Sequence, residues 1–423
     1  MGEGARQREG EEDSGVKQLS PPRPLTVSFF SGHSGGHLFP AFAAAEAFKR
    51  RLPETRIHLL TGAKAGPIVR NLPAGIFDEV CTQPEFPLPT RPSPRVLEFL
   101  WEFPRAFIVA SHYLSKAKPD ICLGFGSYAS YPGMLLAAAR NIPTLIHEQN
   151  LIPGKATARL ARRVDVVAVT FPETFRGLDL KRREVTGLPV RAELSSVGAY
   201  CNTPLLKITP GEKFRILVTG GSQGARRLNG VLLETFFSFS SAEKEKFAVT
   251  HITGRADFDW VTGSYEKSGV AFQTFPFHKR MGELYGQADM AVTRAGAGTL
   301  FELALFGLPA VVIPYPHAGA HQAANAKYFE SRGAVLYREE ADLAPAWLAG
   351  QIRTLVQNPN QRKKLSENIS ELACPNAAEQ IVKLALELVN IQVPPLPPGE
   401  GKGEGDLKEF PPHLNPLPRG ERR

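Results

Sequence analysis

Cysteine is scarce in this sequence. Its 423 residues contain four, Cys81, Cys122, Cys201 and Cys374, and no two of them form a CxxC pair. Neither a disulfide framework nor a zinc site is expected, and a reducing compartment fits. The first residues are polar and lack the apolar core of a secretory signal. No stretch approaches the ~18 uninterrupted apolar residues of a spanning helix. A basic–aromatic signature of nucleic-acid binding is also missing, so no nucleic-acid partner is expected. The strand-to-helix turns lack the GxGxxG spacing, and the second strand ends in Thr61-Gly62 without the acidic residue that would hold a dinucleotide's ribose.

What remains is an ordinary globular composition, 43% apolar and 22% charged, long enough for two domains. Net charge is +8, with −1 on residues 1–24 and 0 on residues 394–423, so the segment between carries +9. A basic folded region suits phosphates or an anionic lipid surface, although a merely basic protein would look the same. Residues 1–24 and the Pro/Gly-rich residues 394–423 cannot bury enough apolar surface to offset ordering entropy and read as disordered tails.

Between the tails, apolar runs alternate with helical patterns. Strands are expected at Leu25–Phe30, Ile57–Leu60, Ile121–Leu123, Thr144–Ile146 and Val164–Val169, with a helix over Leu38–Arg51. Residues 192–212 read as a linker between domains at 25–191 and 213–393. The pattern then restarts with strands at Arg215–Thr219, Phe247–His251, Met290–Thr293 and Ala310–Ile313 and a helix from about Arg226. The expected class is α/β, two doubly wound parallel-sheet, Rossmann-like domains facing a cleft, with ligands at the carboxyl ends of the strands.

Two glycine turns mark where an anion would sit. The first strand runs into Ser31-Gly32-His33-Ser34-Gly35-Gly36-His37 and a helix, where backbone N–H groups and the helix N-terminus favour a pyrophosphate. His37 at the helix start is a candidate general base, since the dipole lowers an imidazole pKa; it could equally be a packing or capping histidine. The second turn, Gly220-Gly221-Ser222-Gln223-Gly224-Ala225-Arg226, repeats the device, with Ser222 as a phosphate donor. Further on, Thr293-Arg294 and a small loop precede a short helix with Glu302 expected in its first turn and Gly307 at its C-cap. Glu302 is placed to take both hydroxyls of a ribose, or merely complements the helix dipole. His321, Gln322 and Asn325 share one helical side, suited to sugar hydroxyls or only to solvent. Asp257-Phe258-Asp259 spells a DxD triplet, the pattern that holds a divalent metal in some transferases, but it lies apart from these turns. Residues 84–118 mix Pro84, Pro87, Pro89, Pro92 and Pro94 with Leu97, Phe99, Leu100, Trp101, Phe103, Phe107 and Ile108 and with Arg91, Arg95, Arg105, Lys116 and Lys118, suiting an anionic membrane interface or a core helix with a solvated basic edge.

In this order the motifs resemble the MurG family of peptidoglycan N-acetylglucosamine transferases over about residues 25–390. Ser31–His37 with Pro40 is similar to its GGTGGH-x-x-P turn, Gly124-Phe125-Gly126-Ser127-Tyr128 to GxGGY, His147-Glu148-Gln149-Asn150 to HEQN, Thr186–Arg191 to GNPVR and Gly220–Ala225 to GGSQGA. The resemblance implies a GT-B fold, no cofactor and no metal, and inverting transfer from UDP-N-acetylglucosamine to a lipid-linked muramyl-peptide acceptor, with the protein peripheral on the cytoplasmic face of the inner membrane. It implies donor contacts at Ser34, Gly35, Gly36, Asn150, Arg191, Ser222, His278, Ala297, Gly298, Thr299, Leu300, Phe301, Glu302 and Gln322. Glu302 would hold the ribose, Gln322 the sugar hydroxyls, and the backbone around His278 the uracil. His37, Asn150 and Tyr128 would line the acceptor side, with His37 as base. Another UDP-sugar transferase or epimerase of this fold, or a catalytically silent UDP-sugar-binding subunit, are the alternatives. Four positions depart from the family pattern: His33 and Ser34 in the first turn, Leu188 before Pro189, and Ala320. If the turn needs a left-handed residue at His33, the cost there is ~1 kcal/mol.

Overall fold

The computed structural model describes residues 23–86, 95–194, 213–220, 225–316 and 320–392. The two tails, most of the linker, residues 87–94 with Arg91, and residues 221–224 with Ser222 lie outside the described residues.

Two all-parallel sheets organise the chain. The first has seven strands in the order β3-β2-β1-β4-β5-β6-β7: β1 (Thr26–Ser31), β2 (Arg56–Gly62), β3 (Glu79–Gln83), β4 (Ile121–Gly124), β5 (Thr144–Glu148), β6 (Val166–Val169) and β7 (Arg183–Val185). The second has six in the order β10-β9-β8-β11-β12-β13: β8 (Phe214–Thr219), β9 (Phe247–Ile252), β10 (Ala271–Phe275), β11 (Met290–Thr293), β12 (Ala310–Val312) and β13 (Leu336–Tyr337). Each sheet reverses its strand order once, between β1 and β4 and between β8 and β11. At such a point the connections leave to opposite sides and open a crevice at the carboxyl ends of the strands. The first glycine turn follows β1 and the Gly124–Tyr128 loop follows β4. The second glycine turn follows β8 and the Glu302 helix follows β11. The first glycine turn, the segment after β4 and the Glu302 helix therefore lie at these crevices.

The central strands form because they are buried on both faces. Every residue of β1, β4, β5, β6 and β11 is buried, which favours β-branched and aromatic side chains over alternation. Phe29 stacks on Phe125 at 5.7 Å, coupling β1 to the start of the next crevice loop.

The sheets are joined through a continuous apolar cluster. Phe171, just past β6, packs edge-on against Phe301 at 5.5 Å and Tyr328 at 4.8 Å of the second sheet's layer. Leu188 and Leu194 join that cluster. Gly187 has φ +77, and a Cβ there would lie 2.4 Å from Cys374 Cβ, so the two chain crossings between the lobes approach too closely for a side chain. The helix Ala377–Leu388 then packs on Gly35–Arg51 of the first lobe, where Arg50 and Arg51 reach Glu379 at 3.0 and 2.7 Å.

Two histidines are held neutral in the cores. Burial pushes His147 down to about 4 and His251 down to about 3. Below the ordinary histidine range the unfolded chain takes up these protons while the folded chain does not. Stability is then present above pH ~6.5 and declines as pH falls toward 4, by on the order of 1–2 kcal/mol per histidine. Urea midpoints at pH 7 and pH 5 measure this, and a midpoint unchanged between them would contradict it.

Candidate active site

The site begins at the first glycine turn. Ser34 caps the helix Gly35–Arg51 through its backbone: its carbonyl accepts from His37 N and Leu38 N, both at 3.0 Å, and its hydroxyl makes no cap bond. Gly35 is buried, whereas Gly36 is exposed, with open space where a Cβ would be. Gly32 has no such space, since a Cβ there would sit 2.4 Å from Ser127 Cβ, and this close approach brings the turn onto the β4 loop. His33 does not carry the left-handed conformation considered for it; its Nδ1 lies 3.1 Å from Glu85. Left-handed backbone occurs instead at Ser127, φ +69, where the resembled GxGGY pattern has glycine, and at Ala320, φ +66.

His37 lies between these loops. Its Nδ1 is 2.9 Å from the Phe125 carbonyl and 2.6 Å from the side-chain amide of Gln149. Burial pushes it down to about 4, outweighing the two hydrogen bonds, so the imidazole is neutral at pH 7. Tyr128, in the first turn of the helix Ser127–Ala139, is half-buried with its phenol pushed up by burial and opposed by Arg159.

The four residues His147 to Asn150, at the end of β5 and just past it, each have a separate job. His147 Nε2 donates to the Gly187 carbonyl at 3.0 Å, tying the strand to the chain crossing. Glu148 is buried and accepts from Asn150 N at 3.0 Å, Asn150 Nδ2 at 3.2 Å and Gly154 N at 3.0 Å, which shapes the loop around it. Gln149 meets His37. Asn150 completes the join to the other lobe: its Oδ1 accepts from Asn325 Nδ2 at 3.1 Å, while Asn325 Oδ1 accepts from Leu151 N at 3.0 Å. His321 adds a third bond, its Nδ1 donating to the Ile152 carbonyl at 2.9 Å. Asn325 is fully buried and thus a joint between lobes, not the sugar-facing amide that helical spacing suggested. Gln322 remains half-buried with its Oε1 accepting from Tyr315 N at 2.8 Å.

On the second lobe Glu302 lies in the second turn of the helix Ala297–Leu305, not the first, and that first turn holds no acid. The dipole reading of Glu302 loses its basis accordingly. Tyr285 Oη donates to Glu302 Oε2 at 2.8 Å, and Arg191 approaches the other oxygen at 3.9 Å. Burial raises the carboxyl's pKa against these partners. Arg191 also pairs with Glu193 at 2.9 Å and lies over the Phe39 ring at 4.8 Å. It thereby spans from the helix that begins beside His37 to the helix of Glu302, and those two helices touch. Gly307, φ +57, follows that helix as expected of its C-cap region. Of the helix's other candidates, Ala297, Leu300 and Phe301 are buried, Thr299 is half-buried, and Gly298 has open space at its Cβ position. His278, after β10, is half-buried and packs edge-on to Phe275 at 5.0 Å.

The DxD triplet is otherwise engaged. Asp257 is buried and accepts from Arg226 at 3.0 Å and Asn229 Nδ2 at 3.0 Å. Among the described residues no group of three or more His, Cys, Asp or Glu is placed to hold a metal ion. Arg294 is likewise internal, paired with Glu340 and donating to the Pro314 carbonyl at 3.2 Å. The roles of Tyr285, Gln149 and Asn325 depend on contacts across long separations, which no local pattern marks.

Residues 27–169 match the glycosyltransferase family 28 N-terminal domain and residues 215–381 its C-terminal domain. The chain is 35% identical over 373 residues to the UDP-N-acetylglucosamine–N-acetylmuramyl-(pentapeptide) pyrophosphoryl-undecaprenol N-acetylglucosamine transferase of Desulfotalea psychrophila, covering 88% of this chain and 99% of that one. It is 36% identical to the enzyme of the same name from Geobacter metallireducens, covering 83% and 95%. The chain belongs to the MurG family. The crystal structure of Acinetobacter baumannii MurG superposes with a TM-score of 0.66 at 26% identity, over 86% of this chain and all of that one. The two facing sheets are the GT-B glycosyltransferase architecture. A UDP-GlcNAc 2-epimerase from Neisseria meningitidis shares that fold, at 13% identity and a TM-score of 0.60.

Within this MurG-family frame the joint between lobes is testable by itself. Asn325→Ala leaves the Leu151 N–H and the Asn150 Oδ1 without these partners in a partly buried place, at ~1–2 kcal/mol for each group. Denaturant unfolding of the variant is expected to show a loss of about 2–4 kcal/mol, and an unchanged midpoint would show the joint to be dispensable.

Proposed function

We propose that this chain transfers N-acetylglucosamine from UDP-N-acetylglucosamine to the C4 hydroxyl of an undecaprenyl-pyrophosphoryl-N-acetylmuramyl-pentapeptide, with inversion at the anomeric carbon. The observation that supports the reading is Arg191 lying between Glu302 and Phe39, which links the carboxylate proposed for the ribose to the helix that carries His37.

The donor's ribose hydroxyls would be taken by Glu302, held by Tyr285, and its sugar hydroxyls by Gln322. The uracil would meet the backbone around His278. The diphosphate would meet the backbone of Ser34, Gly35 and Gly36 and the second turn with Ser222, while Arg191 would turn from Glu193 toward it. Inversion needs a single in-line displacement. The acceptor oxygen bonds to C1 as the bond from C1 to the UDP oxygen breaks, His37 takes the hydroxyl proton, and the charge on UDP is met by helix N-termini and Arg191. No divalent cation is needed for that charge, and chelation is expected to leave turnover unchanged.

The acceptor is lipid-linked, and one helix suits its surroundings. Along Arg95–Ala117 the residues Leu97, Leu100, Trp101 and Ile108 are 60–73% exposed, and Arg105 stands 6.0 Å from the Trp101 ring. No helix among the described residues is long and apolar enough to cross a membrane. An apolar face beside basic groups on such a helix lies in an anionic interface, peripheral to the inner membrane.

Release of UDP from UDP-N-acetylglucosamine, dependent on a lipid-linked muramyl acceptor, tests the function, and product analysis separates transfer from epimerisation. His37→Ala is expected to lower kcat by about 100-fold or more with donor KM within a few-fold; near-wild-type kcat would end its role as base. Tyr285→Phe removes one donor to the buried carboxylate and is expected to raise donor KM about 5- to 30-fold with kcat little changed. Vesicle flotation reports on the membrane face: Leu97→Ser with Trp101→Ser should lower salt-sensitive binding to anionic vesicles, and equal binding would remove that role.

A further inference from the structure

The contacts at His37 pose a conflict that has one chemical resolution. A carbonyl oxygen only accepts, so Phe125 O at 2.9 Å demands a proton on Nδ1. An amide NH2 only donates, so a Gln149 Nε2 at 2.6 Å from the same Nδ1 would demand a lone pair there. Both demands cannot be met. The orientation of a glutamine amide is an assignment made from its hydrogen bonds, and in this one Gln149 Oε1 is buried without a partner. Turning the amide by half a rotation places Oε1 on Nδ1, where the imidazole N–H is shared between two acceptors.

We infer that Gln149 is a positioning residue for the base: its Oε1, together with the Phe125 carbonyl, holds the proton on Nδ1 of His37 and leaves the lone pair on Nε2. The inference rests on the reading of His37 as base. The opposite tautomer would carry its proton on Nε2 and could only donate to an acceptor hydroxyl, never deprotonate it.

The surroundings fit an orienting role that is neutral by design. Gln149 is buried, and its place is fixed on one side by Glu148, which pins the loop, and on the other by Asn150, which is tied to Asn325 of the second lobe. Titratable groups facing the imidazole are His33 on its own turn and His321 on the second lobe, both of which disfavour its charged form. Glu148 neighbours Gln149 in sequence but turns its carboxylate to Asn150 and Gly154. An amide acceptor fixes the tautomer without the charge that would raise the imidazole's pKa. A carboxylate in the same place would fix the same tautomer and also favour the imidazolium.

Nitrogen-15 NMR of the full chain labelled at histidine, with His37 assigned by the signal lost in His37→Gln, reads the tautomer directly. At pH 7 the wild type is expected to show a protonated Nδ1 and an unprotonated Nε2; a protonated Nε2 would overturn the inference. Gln149→Glu is expected to move the acid limb of the kcat profile, and the His37 titration, up by about one pH unit or more. Superimposed profiles in both readouts would also overturn it. Gln149→Met, which cannot accept, is expected to lower kcat about 10-fold with donor KM within about twofold. A loss of donor affinity and kcat together would point to loop disruption instead and count against positioning. If His37→Gln retains turnover while the wild-type tautomer is as stated, the base assignment fails and the positioning of the ring stands.

Discussion

A single buried amide, Asn325, donates to Asn150 Oδ1 at 3.1 Å and accepts from Leu151 N at 3.0 Å, and the cleft's geometry depends on those two bonds. Gln322 lies three residues before it on the same helix. Asn150 lies one residue after Gln149, which holds His37. The groups that would grip the donor and the group that would activate the acceptor are therefore connected through one helix, the Asn325–Asn150 hydrogen bond and one short stretch of chain. The Phe171, Phe301 and Tyr328 rings supply the apolar support for that joint, and Glu173 with Arg332 at 3.3 Å flanks it. Apolar packing alone is non-directional; two amide bonds add the register that an active site spread over two lobes requires.

The electrostatics follow from burial more than from charge pairing. His37 is kept neutral by desolvation, and Glu302 is raised by the same cause while Tyr285 and Arg191 pull it back. A neutral imidazole opposite a partly compensated carboxylate leaves the site without a fixed excess of negative charge. That arrangement suits a diphosphate that gains charge as its bond to sugar breaks.

The central strands were legible because burial on both faces gives continuous apolar runs; β11 appears at Met290–Thr293 as read from the sequence. The four strands missed, β3, β7, β10 and β13, are the outer edges of the two sheets. Arg183–Val185 and Glu79–Gln83 are mixed and half-exposed, so neither alternation nor an apolar run marks them. The first glycine turn could be placed from sequence because it follows an apolar run and precedes a helical pattern, and it lies between β1 and the helix Gly35–Arg51. Strain was looked for at His33 and found at Ser127 and Ala320, since which residue of a turn goes left-handed depends on the packing around it. Asn325 has the composition of a sugar-binding amide, and only its burial against the other lobe shows its use.

The central claim is that one donor molecule, bound by the second lobe, presents its anomeric carbon to His37 of the first. A crystal structure with UDP-N-acetylglucosamine bound tests it most directly. The account predicts both ribose hydroxyls on Glu302, sugar hydroxyls on Gln322, and room for one acceptor oxygen between C1 and His37 Nε2. A donor whose ribose lies away from Glu302, or whose anomeric carbon faces away from His37, would contradict it.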